Sequence, residues 1–322
     1  MRGEPEGRQS PPAMIEAIPN ISEGRRIDVV REAVETLEAV PGVRVLDWSS
    51  DPSHNRSVVT VVGDAGALRE AVLRLFDAAM KHIDLRRHRG VHPRIGAVDV
   101  VPFVPLGDTP MESCIDLAHA TGRDVAERLQ VPVLLYEAAA TAPSRRRLEH
   151  LRRGQFEGLA AKLLEPAWRP DYGPPRPHPS AGASAIGARG PLVAFNVNLA
   201  TDNLDIARRI ARTVRESSGG LPHVKAIGVR LSSPRPNLAQ VSLNLTDYRR
   251  TPLSMVLDRV AREAARERTG IAGTELVGLV PREAIDGTAG GRPMLDVIRP
   301  DRTIEARLER RPPSLPDRRA AP

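Results

Sequence analysis

The predicted order of secondary structure runs twice along this chain, and that repetition limits the fold more than any other feature. In the first half, Ala13–Pro19 reads as a strand and Ile27–Val40 as a helix with Val29, Val30, Ala33, Val34 and Leu37 on one stripe. Val43–Leu46 and Ser57–Val62 are β-branched runs joined by a polar loop, Asp47–Arg56. Ala67–Ile83 is a second helix and Ala97–Val104 an apolar strand. The second half repeats the order: strand Leu192–Leu199, helix Leu204–Glu216, strands Val224–Leu231 and Ala239–Asn244, helix Leu253–Arg268, strand Glu275–Val280. This is β-α-β-β-α-β, the ferredoxin-like unit. The first copy carries an extra helix–strand, Met111–Leu129 and Val131–Tyr136, with Thr109 as a cap. The fold class is α/β (α+β): two ferredoxin-like subdomains, each a sheet with helices on one face, forming a groove between them. Two unrelated α/β domains are the alternative.

A length of 322 residues fits two domains. Aromatic residues make up only 3%, so Val, Leu, Ile and Ala must build the cores. The net charge of +7 suits an anionic partner. The basic residues are scattered, however, with no aromatic stacking set, which argues against nucleic acid. A single cysteine, Cys114, excludes an internal disulfide and a multi-cysteine metal site; within a helical pattern it reads as a buried thiol. No apolar run is long enough to span a membrane, and the polar N-terminus lacks a secretory core, so a cytoplasmic location is expected.

Four clusters can carry chemistry. His88–Gly96 (HRGVHPRIG) is a loop made rigid by Gly90, Pro93 and Gly96. A histidine there is a candidate acid or base, or is simply held by backbone at a helix end. A metal is not expected, because the loop is not helical and no third ligand is near. Asp47–Arg56 brings Asp51, Asn55 and Arg56 to a strand start, where an arginine can fork onto a carboxylate. Pro19–Gly24 follows the first strand, a usual position for ligand loops. Asn196 and Asn198 share one strand face, either buried and paired or lining a site; Asn237, Gln240 and Asn244 form a weaker set. The proline-rich stretch Glu165–Pro191, with Trp168, Tyr172 and His178, is either a linker or a loop docked in the groove. No phosphate-binding GxxxxGK[ST] occurs.

Several of these segments resemble the glutamate formimidoyltransferase family. They are Ile18–Gly24, Asn55-Arg56, Arg87–Phe103, Ala194–Leu199, Asn237–Ser242 and Leu276–Pro281, in order from about Ala13 to Ile285. The resemblance implies an N-terminal formiminotransferase subdomain (13–180) and a C-terminal one (181–286); the flexible N-terminus (1–12) and the Pro/Arg-rich tail (287–322) are read from composition and have no counterpart in the family. The resemblance implies transfer of a formimidoyl group between N5 of tetrahydrofolate, a co-substrate, and L-glutamate, in histidine breakdown. His92 takes the position of the catalytic histidine. Tyr172, Gly173, Pro174, Pro175, Arg176, Pro177, His178, Pro179, Ser180 and Ala181 take that of a folate-contacting segment, with Asn196 and Asn198 toward the pterin. Arg56, Arg94, Asn20 and Asp51 are the expected partners of glutamate. The family's acidic side chain near Ser49 is replaced here, with Asp51 the compensating candidate, and Ala181 stands where some relatives carry an aromatic. The resemblance also implies a homodimer and, since vertebrate relatives are fused to a cyclodeaminase, a monofunctional chain with a separate cyclodeaminase as pathway partner. Formyl transfer, recycling of 5-formyltetrahydrofolate, or a non-catalytic sensing module are the competing readings.

Overall fold

The computed structural model describes residues 13–231, 238–285 and 299–310. The expected N-terminal segment 1–12, Asn237 and most of the tail lie outside the described residues.

Two sheets form. The first contains β1 (Ile15–Ala17), β2 (Asn20–Ile21), β3 (Arg44–Asp51), β4 (Arg56–Gly63), β5 (Val98–Pro105), β6 (Val133–Glu137) and β7 (Ser184–Ala188). β1 and β2 are one strand interrupted at Ile18-Pro19; both pieces pair antiparallel with β4 and β5. Counting them as one, the antiparallel part runs β3, β4, β1/β2, β5, and β7 and β6 continue it in parallel. The second sheet, β8 (Val193–Leu199), β9 (Val224–Leu231), β10 (Leu238–Leu245) and β11 (Ile271–Val277), is antiparallel in the order β11-β8-β10-β9. In both copies the first strand lies between the third and the fourth, so the sequence repeat is a repeat of topology.

Helices cover one face of each sheet. α1 (Ile27–Glu38), α2 (Ala65–His82) and α3 (Met111–Leu129) bury their apolar stripes against Ile15, Val59, Val61, Val101 and Phe103. α6 (Leu204–Val214) and α7 (Leu253–Arg266) do the same over Phe195, Val197, Val241 and Leu243. Each such buried side chain contributes roughly 1.5–3 kcal/mol of transfer free energy. Register puts the opposite face of the second sheet in polar hands: Asn196 lies across from Ser242 and Glu275, Asn198 from Gln240, and Asn244 from Lys225. The second face of the first sheet is covered by two short helices, α4 (Leu148–Leu151) and α5 (Gln155–Lys162), over Val100, Leu134 and Tyr136.

Four expectations change. The segment Asp47–Arg56 is not one long loop, because β3 runs on to Asp51 and β4 starts at Arg56, leaving a tight turn with Asn55 at φ 49°. Thr109 does not cap α3; its hydroxyl donates to Met14 O and Pro110 is the cap residue. The proline-rich stretch is not wholly a linker, since it ends in β7, which pairs with β5 and β6. The break between subdomains therefore falls after Ala188 rather than after Ser180. The tail, too, is partly built: α8 (Ile304–Glu309) packs Ile304 on Leu46, Val62 and Leu279, and Arg44 donates to the carbonyls of Arg307 and Leu308 at its end.

Candidate functional site

A groove of about 780 Å³ opens between the two subdomains, within the size range of small-molecule sites. One wall carries His92, Pro93, Tyr136, Glu137, Arg189 and the α4 region from Arg146 to Gln155. The other carries Arg215, Lys225, Ile227, Ser242, Asn244 and Thr246, the polar face of the second sheet and its rim. Lys225 reaches across to Glu137 and Glu149 at 3.2 and 3.3 Å.

His92 sits at the centre of a charged network. Its Nδ1 lies 2.8 Å from Arg56 Nη1 and 2.8 Å from Pro93 O. Arg56 is itself fully engaged: Nε and Nη2 donate to Asn20 Oδ1 and Nη1 reaches Asp99 Oδ2 at 3.2 Å. Arg152, from the turn after α4, donates to the same Asp99 oxygen through Nε and Nη2 at 3.0 and 2.5 Å, while Ile95 N–H donates to the other. Burial alone would raise the Asp99 carboxyl; Arg152, Arg56 and the Ile95 amide hold it below its ordinary value instead. Burial, then Arg152, pushes the Arg56 guanidinium down to about 9, still a cation at neutral pH. For His92, burial first and the charges of Arg56 and Arg152 next hold the imidazole well below its usual range. The ring is thus neutral at physiological pH. Arg56 can only donate and Pro93 O can only accept, so Nδ1 serves one of them at a time; in the Nδ1–H tautomer, which donates to Pro93 O, the Nε2 lone pair is open to a reacting proton.

The loop that holds His92 is fixed by backbone packing. A Cβ at Gly90 would collide with His54 O, one at Gly96 with Ala183 O, and one at Gly24 with Asp51 O and Arg56 N. His88 is support: Nε2 lies 2.9 Å from Asn55 O, and Nδ1 accepts from Arg94 Nε. The turn Ser22–Gly24 also proves structural, because Glu23 Oε1 accepts the N–H groups of Gly24, Arg25 and Arg26 at the start of α1.

The expected partners of glutamate are placed differently from expectation. Arg94 is buried and forks onto Glu157, away from the groove wall. Arg56 and Asn20 are bound to one another, and both oxygens of Asp51 are taken by His54. None of the four presents a free group to the groove. The segment Tyr172–Ala181 does not line this groove either. Tyr172 packs on Gly122 of α3 with its hydroxyl 2.8 Å from His119 Nδ1, as an aromatic with one polar end should. His178 Nδ1 accepts from Ala181 N–H, and the loop's end runs beside the His92 loop, with Ala97 N–H donating to Ala181 O. Gly173 and Gly182 take positive φ, which the turns at both ends of the loop require. Gly173 through Ser180 are not among the residues that line this groove. Asn198 is paired with Glu275 and Gln240, whereas Asn196 adjoins the groove residue Ser242 across the ladder.

Sequence reasoning missed Asp99, Arg152 and Glu137. Asp99 lies inside an apolar run, where a carboxylate is itself a signal of a paired or functional group. Glu137 carries φ 53° at the groove edge, a strained position no composition shows. Cys114 is buried, as expected, and burial pushes its thiol up to about 11.

Comparison with known proteins adds an independent finding. A model described as "Formiminotransferase domain, N-terminal subdomain" matches residues 14–189, and one described as "Formiminotransferase domain" matches 194–290. A glutamate formimidoyltransferase of Streptococcus pyogenes is 46% identical over 84% of this chain and 90% of its own. One of Thermoplasma acidophilum is 42% identical over 92% of this chain and 98% of its own. A formimidoyltransferase-cyclodeaminase of Gallus gallus is 41% identical over 84% of this chain but only 51% of its own length. The two matched regions meet at the same place as the two sheets, between Ala188 and Val193, and together they span most of the sequence: the chain belongs to the formiminotransferase family.

Proposed function

We propose that the interdomain groove moves a formimidoyl group between L-glutamate and N5 of tetrahydrofolate, with His92 as the proton-handling residue. The reaction makes one carbon–nitrogen bond and breaks another at the same carbon. The attacking nitrogen must give up a proton and the leaving nitrogen must receive one. A neutral imidazole with a free Nε2 on the groove wall is suited to both transfers, and this observation carries the reading. Pro93 O and Arg56, the latter itself held by Asp99, fix the ring through Nδ1. Both substrates carry carboxylates, and the groove offers Arg146, Arg147, Arg152, Arg153, Arg189, Arg215 and Lys225 to bind them, in place of Arg94. Ser242 on the groove wall, with Asn196 across the ladder from it, is the pair assigned to a pterin edge. Fixing two substrates side by side supplies much of the rate.

The test is turnover of formimidoylglutamate with tetrahydrofolate, followed by absorbance of the folate product. His92→Ala is expected to lower kcat by about two orders of magnitude or more while folate still binds. Wild-type turnover surviving in that variant removes His92 from the role. Tight folate binding by the native protein without turnover would instead favour a sensing module.

A further inference from the structure

The proposed chemistry has a proton that His92 alone does not account for. When the formimidoyl group passes to N5, the N5–H bond breaks and the N5–C bond forms. The C–N bond to glutamate breaks, and the N5 proton ends on the glutamate nitrogen. Glutamate is then a free amine, and it takes up one more proton to become the ammonium ion that is stable at neutral pH. In the opposite direction that ammonium must shed the same proton before it can attack. One proton per turnover therefore crosses between the groove and solvent. His92 is a poor place to store it, because Arg56 and Arg152 stand against an imidazolium there.

A second imidazole stands beside it. The rings of His54 and His92 are 6.0 Å apart, centroid to centroid, tilted by 57°. That separation suits a bridge of one water between two ring nitrogens. His54 Nδ1 lies 3.0 Å from Asp51 Oδ2, and its backbone N–H donates to Asp51 Oδ1 at 2.8 Å. The Asp51 carboxylate accepts from His54 Nδ1–H, which fixes the orientation of the ring and leaves Nε2 as its lone-pair nitrogen. No hydrogen bond among the described residues engages Nε2 of either ring, so each has a nitrogen to spare. Exposure falls along the line from outside to inside: the Asp51 side chain is 42% exposed and that of His54 10%. His54 does not touch the groove, so it acts through His92 rather than on substrate. The charged groups around the pair are Asp51 on one side and Arg56, Arg152 and Asp99 on the other.

From this arrangement we infer that Asp51 and His54 form a proton relay that connects His92 to solvent. The inference rests on the assignment of His92 above. The dyad holds the exchanged proton transiently on His54, passes it to or from His92 Nε2 and trades it with solvent past the exposed edge of Asp51.

The test is steady-state turnover of His54→Gln and Asp51→Asn in the full chain, with and without small imidazole buffers. For His54→Gln, kcat should fall about tenfold or more with KM for both substrates within about twofold, and millimolar imidazole should restore much of it. Asp51→Asn should show a smaller loss with the same rescue. A kcat unchanged in His54→Gln overturns the relay. So does a loss that imidazole leaves in place, since that marks His54 as merely structural. The two readings fail separately: a fully active His54→Gln beside an inactive His92→Ala sinks the relay alone, whereas turnover surviving in His92→Ala sinks the assignment of His92.

Discussion

Glu16 is the carboxyl in the first sheet with the least to hold it. It sits mid-strand between Val62 and Val104 in the ladder, almost wholly buried, and burial raises its pKa to about 7, with Glu305 adding to the rise and Arg189 opposing it. A folded-state value above the unfolded 4.5 means that the folded protein binds more protons between those limits. Stability is then full below about pH 4.5 and falls as pH rises through about 7, by on the order of 3 kcal/mol. Glu16→Gln should flatten that slope, seen as a smaller drop in Tm between pH 5 and pH 8. An unchanged slope would mean that another group titrates. His92 works in the opposite window. Its folded value is depressed, so its contribution is present above the unfolded histidine value near 6.5 and is lost as the solution becomes more acid. At this scale the sequence singled out His92 and Arg56, but not what they bind. Asp99 and Arg152 are 53 positions apart, and no spacing rule connects them.

Among the elements, α4 and α5 decide the groove. They escaped the sequence reading because four and eight residues are too short to show a helical period. What holds them is Lys162, whose Nζ donates to the carbonyls of His150, Leu151 and Arg153 at 2.5, 2.8 and 3.1 Å. The same ammonium lies 4.1 Å from the Trp168 ring centroid. A single cation thus closes the end of α4 and turns Arg152 and Arg153 toward the groove. Burial brings its pKa down to about 8. Lys162→Met should raise KM for the anionic substrates by roughly tenfold, with a smaller change in kcat, and Lys162→Arg should recover part of the loss. Equal effects on kcat and KM in both variants would point to general unfolding. Helices α1, α2, α3, α6 and α7 were legible because each is long enough for its stripe to repeat. Strand β7 was not, since Ser184–Ala188 follows a run of prolines and is mostly small residues.

For the molecule as a whole, the question is what keeps the two sheets facing one another. The ion pairs of Lys225 cross the groove but are partly exposed, and pairs of that kind are worth about 0–1 kcal/mol. The apolar patch of Leu46, Val62, Leu279 and Ile304 joins the first sheet, the segment after β11 and α8. Arg302 and Arg307 add contacts to Asp47 at 3.4 and 3.6 Å. Ile304→Ala is expected to cost about 2–4 kcal/mol and lower Tm by several degrees, whereas Lys225→Ala should change stability by less than about 1 kcal/mol. Calorimetry of both variants checks the ranking; a larger loss from Lys225→Ala would mean that the groove is held by charge.

The sequence by itself determined the doubled β-α-β-β-α-β order, the helix stripes, the rigid glycine-bounded loop and, through resemblance, the family. Those are local or periodic properties, written in residues a few positions apart. Only the tertiary structure decided that Arg94 is a support, that the end of the Tyr172–Ala181 segment runs beside the His92 loop, and that Asp51 belongs to His54. It alone joined Asn20, Arg56, His92, Asp99 and Arg152 into one network. The reason is that a side chain's role depends on which partner claims its hydrogen bonds, and here the claimants come from strands and loops tens of residues away.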